Sequence, residues 1–370
     1  MINYQNYKHR NPLIVTPMGN FLQGIGDTHL GRVFKNDVPL SRRGDYEKTQ
    51  KQKLTELLNK EVPEGCDKSN FMLFQAGDWF DKPVVDFSTI YNSKVLLEKY
   101  AHKNSAEGVN IPLAILSGNH DDSKNLSDVT AWDLLAEMLR TSIHNYALIK
   151  MVKEYYVKQF GNGEQILFIG WNITQSACEA LIKAKDEGYN NITTVVCHLD
   201  KISYGNEDNV IPYEFFAAQG IKMVISGHEH KPYHFFEQGM EIIGTGSLLP
   251  YSHAEDDGEE IYVTLNSINE YLAYFEENDV ADKHIRLILD EADQERASEL
   301  TQIHSLSFKI VKKGVDISVL DMDAIDAVEQ VNTEAYDPKA VWRETVIETN
   351  LDSDTASLVW SEIEAKGVEE

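Results

Sequence analysis

Five short motifs along this chain place aspartate, asparagine or histidine directly after an apolar run. Mixed carboxylate, amide and imidazole ligands suit manganese, iron or zinc, whereas magnesium and calcium prefer sets of oxygen atoms. The motifs therefore predict a metal centre. They read GIGDTHLG, QAGDWFDKP, LSGNHDD, VVCHLD and SGHEH, and the side chains that they offer as ligands are Asp27, His29, Asp78, Asn119, His198, His228 and His230.

Seven such side chains are too many for one ion. Two divalent ions about 3.5–4 Å apart could share a bridging carboxylate, and Asp78 is the natural bridge. Paired ions bind a phosphate, acidify a water so that it can attack, and stabilise both oxygens of an in-line displacement. His120, next to Asn119, would then act on the substrate as a proton donor or transition-state stabiliser.

Taken singly, each motif also fits an ordinary loop. An Asp-x-His triplet is common turn chemistry, the Gly-Asn of GNHD favours a hairpin turn, and GHEH could lie on the surface. What favours catalysis is the occurrence of all five, each after a strand-like run. The acidic run from Glu255 to Glu260 carries no such signal, and we interpret it as a solvated turn.

The motifs are positioned by an alternation of short β-rich runs and helical patterns over the first 265 or so residues. This alternation predicts a layered α/β fold, in which active sites collect at the C-terminal ends of strands. Residues 1–265 are predicted to form the catalytic domain and residues 266–350 a smaller α/β domain. Residues 351–370 are predicted to form an amphipathic helix that packs on its own domain or docks on a partner.

Composition narrows the class of protein further. The chain has 370 residues, of which 42% are hydrophobic, and three cysteines without a CxxC pair. No disulfide framework or thiolate zinc site is therefore indicated. We find no apolar run of roughly 18 residues and no secretory h-region near the N-terminus, so we expect a cytoplasmic protein with no membrane association.

In this order, GDTHLG, GDWFD, GNHDD, CHLD and GHEH resemble the motifs of the calcineurin-like metallophosphoesterase superfamily. Within it, the Leu-Gly after Asp-x-His and the segment GTGSLLPYSHAED look like the SbcD branch of DNA-repair nucleases, called Mre-eleven-type in eukaryotes, which has phage-encoded relatives. The resemblance implies a layered β-sandwich flanked by helices, with a smaller C-terminal α/β capping domain and a helical tail. It also implies a DNA exonuclease or endonuclease that works in repair, recombination or replication with an SbcC-type, SMC-like ATPase. Manganese is the favoured metal, and homodimers are common among such relatives.

The same resemblance assigns roles to individual residues. His120 matches the family's catalytic histidine. Many members carry a second histidine where this chain has Asp81, whereas bacterial SbcD-like sequences tend to have aspartate, and we expect Asp81 to hydrogen-bond His120 and raise its basicity. One metal would be held by Asp27, His29, Asp78 and His230, and the other by Asp78, Asn119, His198 and His228.

The formal net charge of -26 is the one extreme number in the composition. Proteins that grip nucleic acid alone usually present a basic face, because they must neutralise phosphates. The clearest basic cluster near the motifs lies in LSRRGDYEKTQKQK, so Arg42 and Arg43 are predicted to bind substrate; a solvated helix start is the alternative. A phosphatase acting on a small molecule or a protein would fit the acidity better, and a structural platform rigidified by its metals is the third option.

Overall fold

The computed structural model describes most of the chain between residues 9 and 310. Arg42, Arg43 and the predicted helix at 351–370 lie outside the described residues, so their predicted roles stay predictions. The described residues are 9–33, 44–108, 110–123, 125, 128–141, 148–172, 174–203, 209–255, 261–278, 283–289, 293, 296, 300 and 306–310.

The first sheet has five strands in chain order. It comprises β1 (Leu13–Val15), β2 (Phe21–Ile25), β3 (Phe71–Gln75), β4 (Leu113–Leu116) and β5 (Ile149–Val152). All pairs from β2 to β5 are parallel, and β1 adds to β2 as an antiparallel edge. Every residue of β3 and β4 is buried, as is typical of parallel strands covered on both faces.

The second sheet has six strands in the order β10-β11-β9-β8-β7-β6. Its parallel centre consists of β7, β8, β9 and β11, and antiparallel strands close both edges. The strands are β6 (Tyr155–Gln159), β7 (Gln165–Ile169), β8 (Ile192–Cys197), β9 (Met223–Ser226), β10 (Tyr233–Glu237) and β11 (Met240–Gly244).

The two sheets pack face to face and helices cover their outer faces. One core between the sheets joins residues such as Met72 and Phe74 of the first to Phe168 and Ile225 of the second. The outer face of the first sheet is covered by α1 (Asp45–Leu58), α2 (Phe87–Ala106) and α3 (Ala131–Arg140), and that of the second by α4 (Ala177–Asp186) and α5 (Tyr213–Ala218). The predicted α/β class and layered sandwich are confirmed.

A third, three-stranded sheet follows in the chain. It pairs β12 (Tyr262–Leu265), β13 (His284–Leu289) and β14 (Leu306–Ile310) in parallel. Alternate residues of β13 are buried, among them Leu287, which packs with Tyr271 of α6 (Ile268–Glu277). Its first strand, β12, lies on the N-terminal side of the predicted domain boundary at residue 265. The domain boundaries stay predictions.

None of the helices that the structure describes combines the length and the apolar character needed to cross a membrane.

Candidate metal centre

The seven predicted ligands come together at one edge of the sandwich. Asp27 follows β2, Asp78 follows β3 and Asn119 follows β4, all at the C-terminal ends of parallel strands. His198 follows β8, and His228 and His230 follow β9, at the same end of the second sheet. Because parallel strands end at a common edge, two face-to-face sheets can surround one site.

The backbone at this edge is held in uncommon conformations. Three of the residues, His29, Asp78 and His228, have φ values of 43°, 52° and 74°. Positive φ is costly for non-glycine residues and tends to occur where function requires a fixed direction. Two glycines permit close approach: a Cβ on Gly77 would lie 2.1 Å from His198 Nδ1, and one on Gly118 would lie 2.0 Å from Asp78 Oδ1.

We call Asp27, His29 and His230 the first cluster. Their potential ligand atoms lie within 4.8 Å of one another, and the Nε2 atoms of His29 and His230 are 3.1 Å apart. Burial lowers the pKa of His29 to about 3, so its imidazole is neutral near pH 7. A neutral imidazole can bind a metal ion through a ring nitrogen, and the Nε2 atoms of His29 and His230 converge on one point.

We call Asp78, His198 and His228 the second cluster. His198 Nε2 lies 3.2 Å from His228 Nδ1, and the side-chain oxygen of Asn119 lies 3.0 Å and 3.1 Å from these two atoms. Asp78 Oδ2 is 3.4 Å from His198 Nε2 and 3.6 Å from His29 Nε2. The Asp78 carboxylate thus belongs to the second cluster and also faces His29 of the first, as a bridging ligand would have to.

The donor set fits two divalent cations. Asp27 and Asp78 are both buried, and burial together with the charge of Asp78 raises the pKa of Asp27 well above its ordinary value. Burial also disfavours ionised Asp78, but the charge and hydrogen bond of His198 outweigh it and lower that pKa. Two carboxylates in a water-poor site are stable as anions only beside positive charge, which metal ions would supply.

Carboxylates that we did not predict support one histidine of each cluster. Asp200 Oδ1 lies 2.9 Å from His228 Nε2, and Glu255 Oε1 lies 3.2 Å from His230 Nδ1. In each case the bonded nitrogen is the one facing away from the cluster, so the carboxylate fixes the tautomer that leaves the other nitrogen available. The interpretation of Glu255 as part of a solvated turn is wrong, since its side chain is mostly buried against His230.

Electrostatics agree with these two contacts. Burial disfavours the charged form of His228, but the hydrogen bond to Asp200 outweighs it and raises the pKa of His228. Burial likewise disfavours ionised Glu255, and the hydrogen bond to His230 reverses this and lowers the pKa of Glu255. A signal for Asp200 was present in the sequence, because it stands two residues after His198 in the CHLD motif.

Asp121 ties two of the ligand loops together. It is 1% exposed and accepts hydrogen bonds from the backbone N–H groups of Trp79, Phe80 and Gly118 at 2.8–2.9 Å. Burial, with the neighbouring charge of Asp78, raises its pKa. It thereby fixes the loop that carries Asp78 against the loop that carries Asn119 and His120.

His120 is the exposed imidazole of the site. Its ring centroid lies 4.8 Å from that of His29, and its backbone N–H donates to Asp78 Oδ1 at 2.9 Å. His120 Nδ1 lies 2.7 Å from the carbonyl oxygen of Asp81, so this nitrogen carries the proton and Nε2 is left for other partners. His29, Asp78 and His120 also meet the spacing of a metal-binding group.

The role expected of Asp81 differs in one respect. Its backbone carbonyl, and not its carboxylate, contacts His120, while its Oδ1 lies 3.6 Å from His29 Nδ1. A carbonyl acceptor orients the ring of His120 without the basicity gain that a carboxylate would give. The backbone N–H of Asp81 donates to the carbonyl of Leu30, which holds Asp81 beside the loop that carries His29.

A groove of about 1260 Å³ opens beside the clusters. Asn119, His120, Asp81 and Tyr251 line it, and its described cations are Arg32 and Lys82. The guanidinium of Arg32 lies over the Tyr251 ring at 4.9 Å from the centroid. The predicted phosphate contacts Arg42 and Arg43 are outside the described residues, and the structure adds Arg32 as a cation beside the site.

Comparisons with known proteins agree with this geometry. The calcineurin-like phosphoesterase family matches residues 24–232, which is more than half of the chain. The chain belongs to the calcineurin-like phosphoesterase family and is therefore a metallophosphoesterase-type hydrolase. A search of curated proteins found no match.

Matches among solved structures have low sequence identity and low TM-scores. A candidate 5′-nucleotidase from Staphylococcus aureus has 14% identity and a TM-score of 0.38, covering 62% of this chain and 48% of its own. The chain thus spans about half the length of that protein. GAP50 of Plasmodium, an anchor in the inner membrane complex, has 15% identity and a TM-score of 0.34 over 61% of this chain and 71% of its own. Phosphopantetheinyl hydrolase from Mycobacterium tuberculosis has 13% identity and a TM-score of 0.34 over 61% and 89%. Likeness at this level indicates nothing about the substrate.

Proposed function

We propose that this chain is a two-metal phosphodiesterase that cleaves DNA, as the nuclease subunit of an SbcD-type assembly. The observation that carries the proposal is the groove of about 1260 Å³ beside the two ligand clusters. Pockets for small molecules span about 300–1,000 Å³. A groove larger than this suits a polymer that continues past the bond to be broken, and the GTGSLLPYSHAED segment favours DNA as that polymer.

The chain's own residues divide the work. Asp27, His29 and His230 would hold one ion and Asn119, His198 and His228 the other, with Asp78 shared. When bound, the two ions would neutralise the phosphodiester and activate a water for in-line attack. His120 is oriented through Nδ1–H by the Asp81 carbonyl. With a second proton on Nε2, as an imidazolium, it would donate from Nε2 to the transition state or the leaving oxygen. The mixed nitrogen and oxygen set favours manganese.

Charge argues for a partner. The net charge of -26 repels DNA at long range. The groove lining also contains three carboxylates, those of Asp81, Asp86 and Asp122, beside its two described cations. Weak, salt-sensitive binding by the isolated chain follows from so few phosphate contacts. The proposal therefore includes an SbcC-type ATPase that supplies the remaining DNA contacts. It also includes a cytoplasmic location and self-association into a homodimer, as the resemblance to the SbcD branch implies.

The second candidate is a metallophosphatase or phosphodiesterase on a small-molecule or protein substrate. The same net charge favours it, because such substrates need no basic surface.

The test is metal-dependent hydrolysis of matched substrates by the purified chain. With manganese, a chromogenic phosphodiester and linear DNA should be hydrolysed, and the corresponding phosphomonoester should be a much poorer substrate. An Asp78→Asn protein purified in parallel controls for contaminating nucleases and should be inactive on all three. Preference for the monoester, with DNA left intact even when the cognate ATPase is added, would support the second candidate instead.

A further inference from the structure

A second cavity, separate from the groove, reaches the metal centre from the other sheet. Its volume is about 380 Å³, and it shares no lining residue with the groove. Its walls are the segments after β7 and β8, including the ligand His198, and the start of α4. We call it the amide cavity after three of its lining residues, Asn172, Gln175 and Asn209, which stand with Trp171.

The walls of the amide cavity are connected to the ligand loops. The backbone N–H of Trp171 donates to the carbonyl of Ser117, the residue before the GNHD motif, at 2.8 Å. The carbonyl of Asn209 accepts from the backbone N–H of Asp200 at 2.8 Å, and Asp200 is the residue that orients His228. His198 both lines this cavity and belongs to the second cluster, so a ligand in the cavity would lie beside that cluster.

The lining has the chemistry of a site for a neutral, planar, hydrogen-bonding group. Among its described residues there is no lysine or arginine, and its carboxylate, Glu179, accepts the backbone N–H of Ser176 at 3.0 Å. This argues against a second phosphate. The indole N–H of Trp171 donates to Asn209 Oδ1 at 3.3 Å, and Asn172 Oδ1 accepts from Thr174. In the described part of the chain the amide nitrogens of Asn172 and Asn209 have no acceptor, so they are left to donate to a ligand.

Gln175 gives the second and independent reason. It is 8% exposed, and neither polar atom of its amide has a hydrogen-bond partner among the residues that the structure describes. A buried amide without partners is costly, and such a group calls for an explanation. Rotation about its own side-chain bonds would let it meet a ligand in the adjoining cavity with one donor and one acceptor, the pair that glutamine offers to the edge of a base.

We propose that the amide cavity receives the nucleobase of a nucleotide next to the scissile phosphodiester. An indole and three amides together match the stacking and edge contacts by which proteins hold unstacked bases. A base held there cannot be paired, so the enzyme acts on an unpaired nucleotide, at an end, a loop or a single strand. This inference rests on the proposed function and specifies the substrate of the same site.

The test compares two chromogenic esters with the same leaving group in the metal-loaded full chain. One is thymidine 5′-(p-nitrophenyl phosphate), which carries a base, and the other is methyl p-nitrophenyl phosphate, which carries none. In the wild type the thymidine ester should have the higher kcat/KM. Gln175→Leu and Asn209→Ala should each lower the ratio of kcat/KM between the two esters by about 5- to 100-fold, the range for losing contacts to one base.

Controls separate base recognition from damage to the fold. Asn190→Ala removes an exposed amide beyond the opposite end of β8 and should leave the ratio unchanged. Replacing an unsatisfied buried amide with an apolar group should not destabilise the fold, so Gln175→Leu should keep the wild-type melting temperature. An unchanged ratio in both cavity variants, or equal losses on the two esters, would overturn the proposal.

Failure of the proposed function would look different. If the wild-type chain hydrolyses neither ester, the proposed phosphodiesterase function is wrong. The proposal for the amide cavity is then tested separately, by measuring thymidine binding with calorimetry. Thymidine should bind the wild type and lose most of its affinity in Gln175→Leu. No binding to the wild type overturns the cavity as well.

Discussion

The two ligand clusters are built in different ways. The second cluster is supported from the ligand loops themselves: His198 Nδ1 bonds the carbonyl of Ala76 at 2.8 Å, and His228 bonds Asp200, which follows the neighbouring strand β8. The first cluster depends on the periphery of the sandwich. Arg10, near the start of the described chain, donates to the carbonyls of His230 and Glu255 and to Ser247 Oγ.

The aromatic surroundings show the same contrast. Tyr251 packs edge-on against His29 at 5.2 Å and against His230 at 5.1 Å, and its hydroxyl donates to the carbonyl of Asp27 at 2.8 Å. The second cluster has no such outer ring among its described contacts. Changes remote from the metals should therefore loosen the first site more readily than the second, with Asp78 common to both.

The largest effect is expected for Asp78→Asn, because it removes the charge that both clusters share. Metal binding should fall at both sites, and hydrolysis of a small phosphodiester should drop by at least about 1,000-fold. Manganese titration calorimetry and kinetics on one preparation measure this. Two ions bound with wild-type affinity would show that Asp78 is not the bridge.

His120→Asn comes next, since it is expected to separate chemistry from metal binding. Both clusters should still bind their ions, while turnover falls by about 100- to 10,000-fold through loss of the proton donor. Calorimetry and kcat measured together decide the matter. If this variant lost metal as badly as Asp78→Asn, His120 would have to be counted as a ligand.

Glu255→Gln and Asp200→Asn should each weaken one site selectively. Loss of a carboxylate partner typically lowers metal affinity by about 10- to 100-fold, so Glu255→Gln should affect the first site and Asp200→Asn the second. A two-site titration resolves the pair, and Glu137→Gln, which alters an exposed ion pair on α3, is the matched control. Equal weakening of both sites by either variant would contradict the independence of the clusters.

Arg10→Met should have the smallest effect and test how far the first cluster depends on the periphery. Arg10 is 6% exposed, and its replacement removes the charged hydrogen bonds to the carbonyls of His230 and Glu255, at a cost of about 1–3 kcal/mol in the free energy of unfolding. Affinity at the first site should fall by a few-fold, and that at the second should be unchanged. Denaturant unfolding and the same titration check this, and a loss confined to the second site would reverse the comparison.

Local sequence patterns identify the candidate ligands but not the residues that hold these ligands in place. Asp27, Asp78 and His198 could be located because each follows a strand, and parallel strands end at one edge. Arg10 could not be located, because it contacts His230 across 220 positions of sequence. Glu255 could not be located either, because it lies in an acidic run that is typical of a solvated turn. For Asp81 the neighbour His120 was expected, but the sequence does not indicate that the backbone carbonyl, and not the carboxylate, makes the contact.

The fold shows the same limit. Alternating apolar runs indicate layers, because burial on one or both faces leaves a local period in the sequence. Which strands share a sheet is decided by non-local pairing, and no local pattern indicates that the strand at Tyr262–Leu265 pairs with His284–Leu289.

The central claim is a pair of metal ions that share Asp78. Anomalous diffraction from crystals grown with manganese tests it most directly. We expect two peaks per chain, about 3.5–4 Å apart, one beside Asp27, His29 and His230 and one beside Asn119, His198 and His228, with the Asp78 carboxylate between them. A single peak, or two peaks that do not both contact Asp78, would contradict the account.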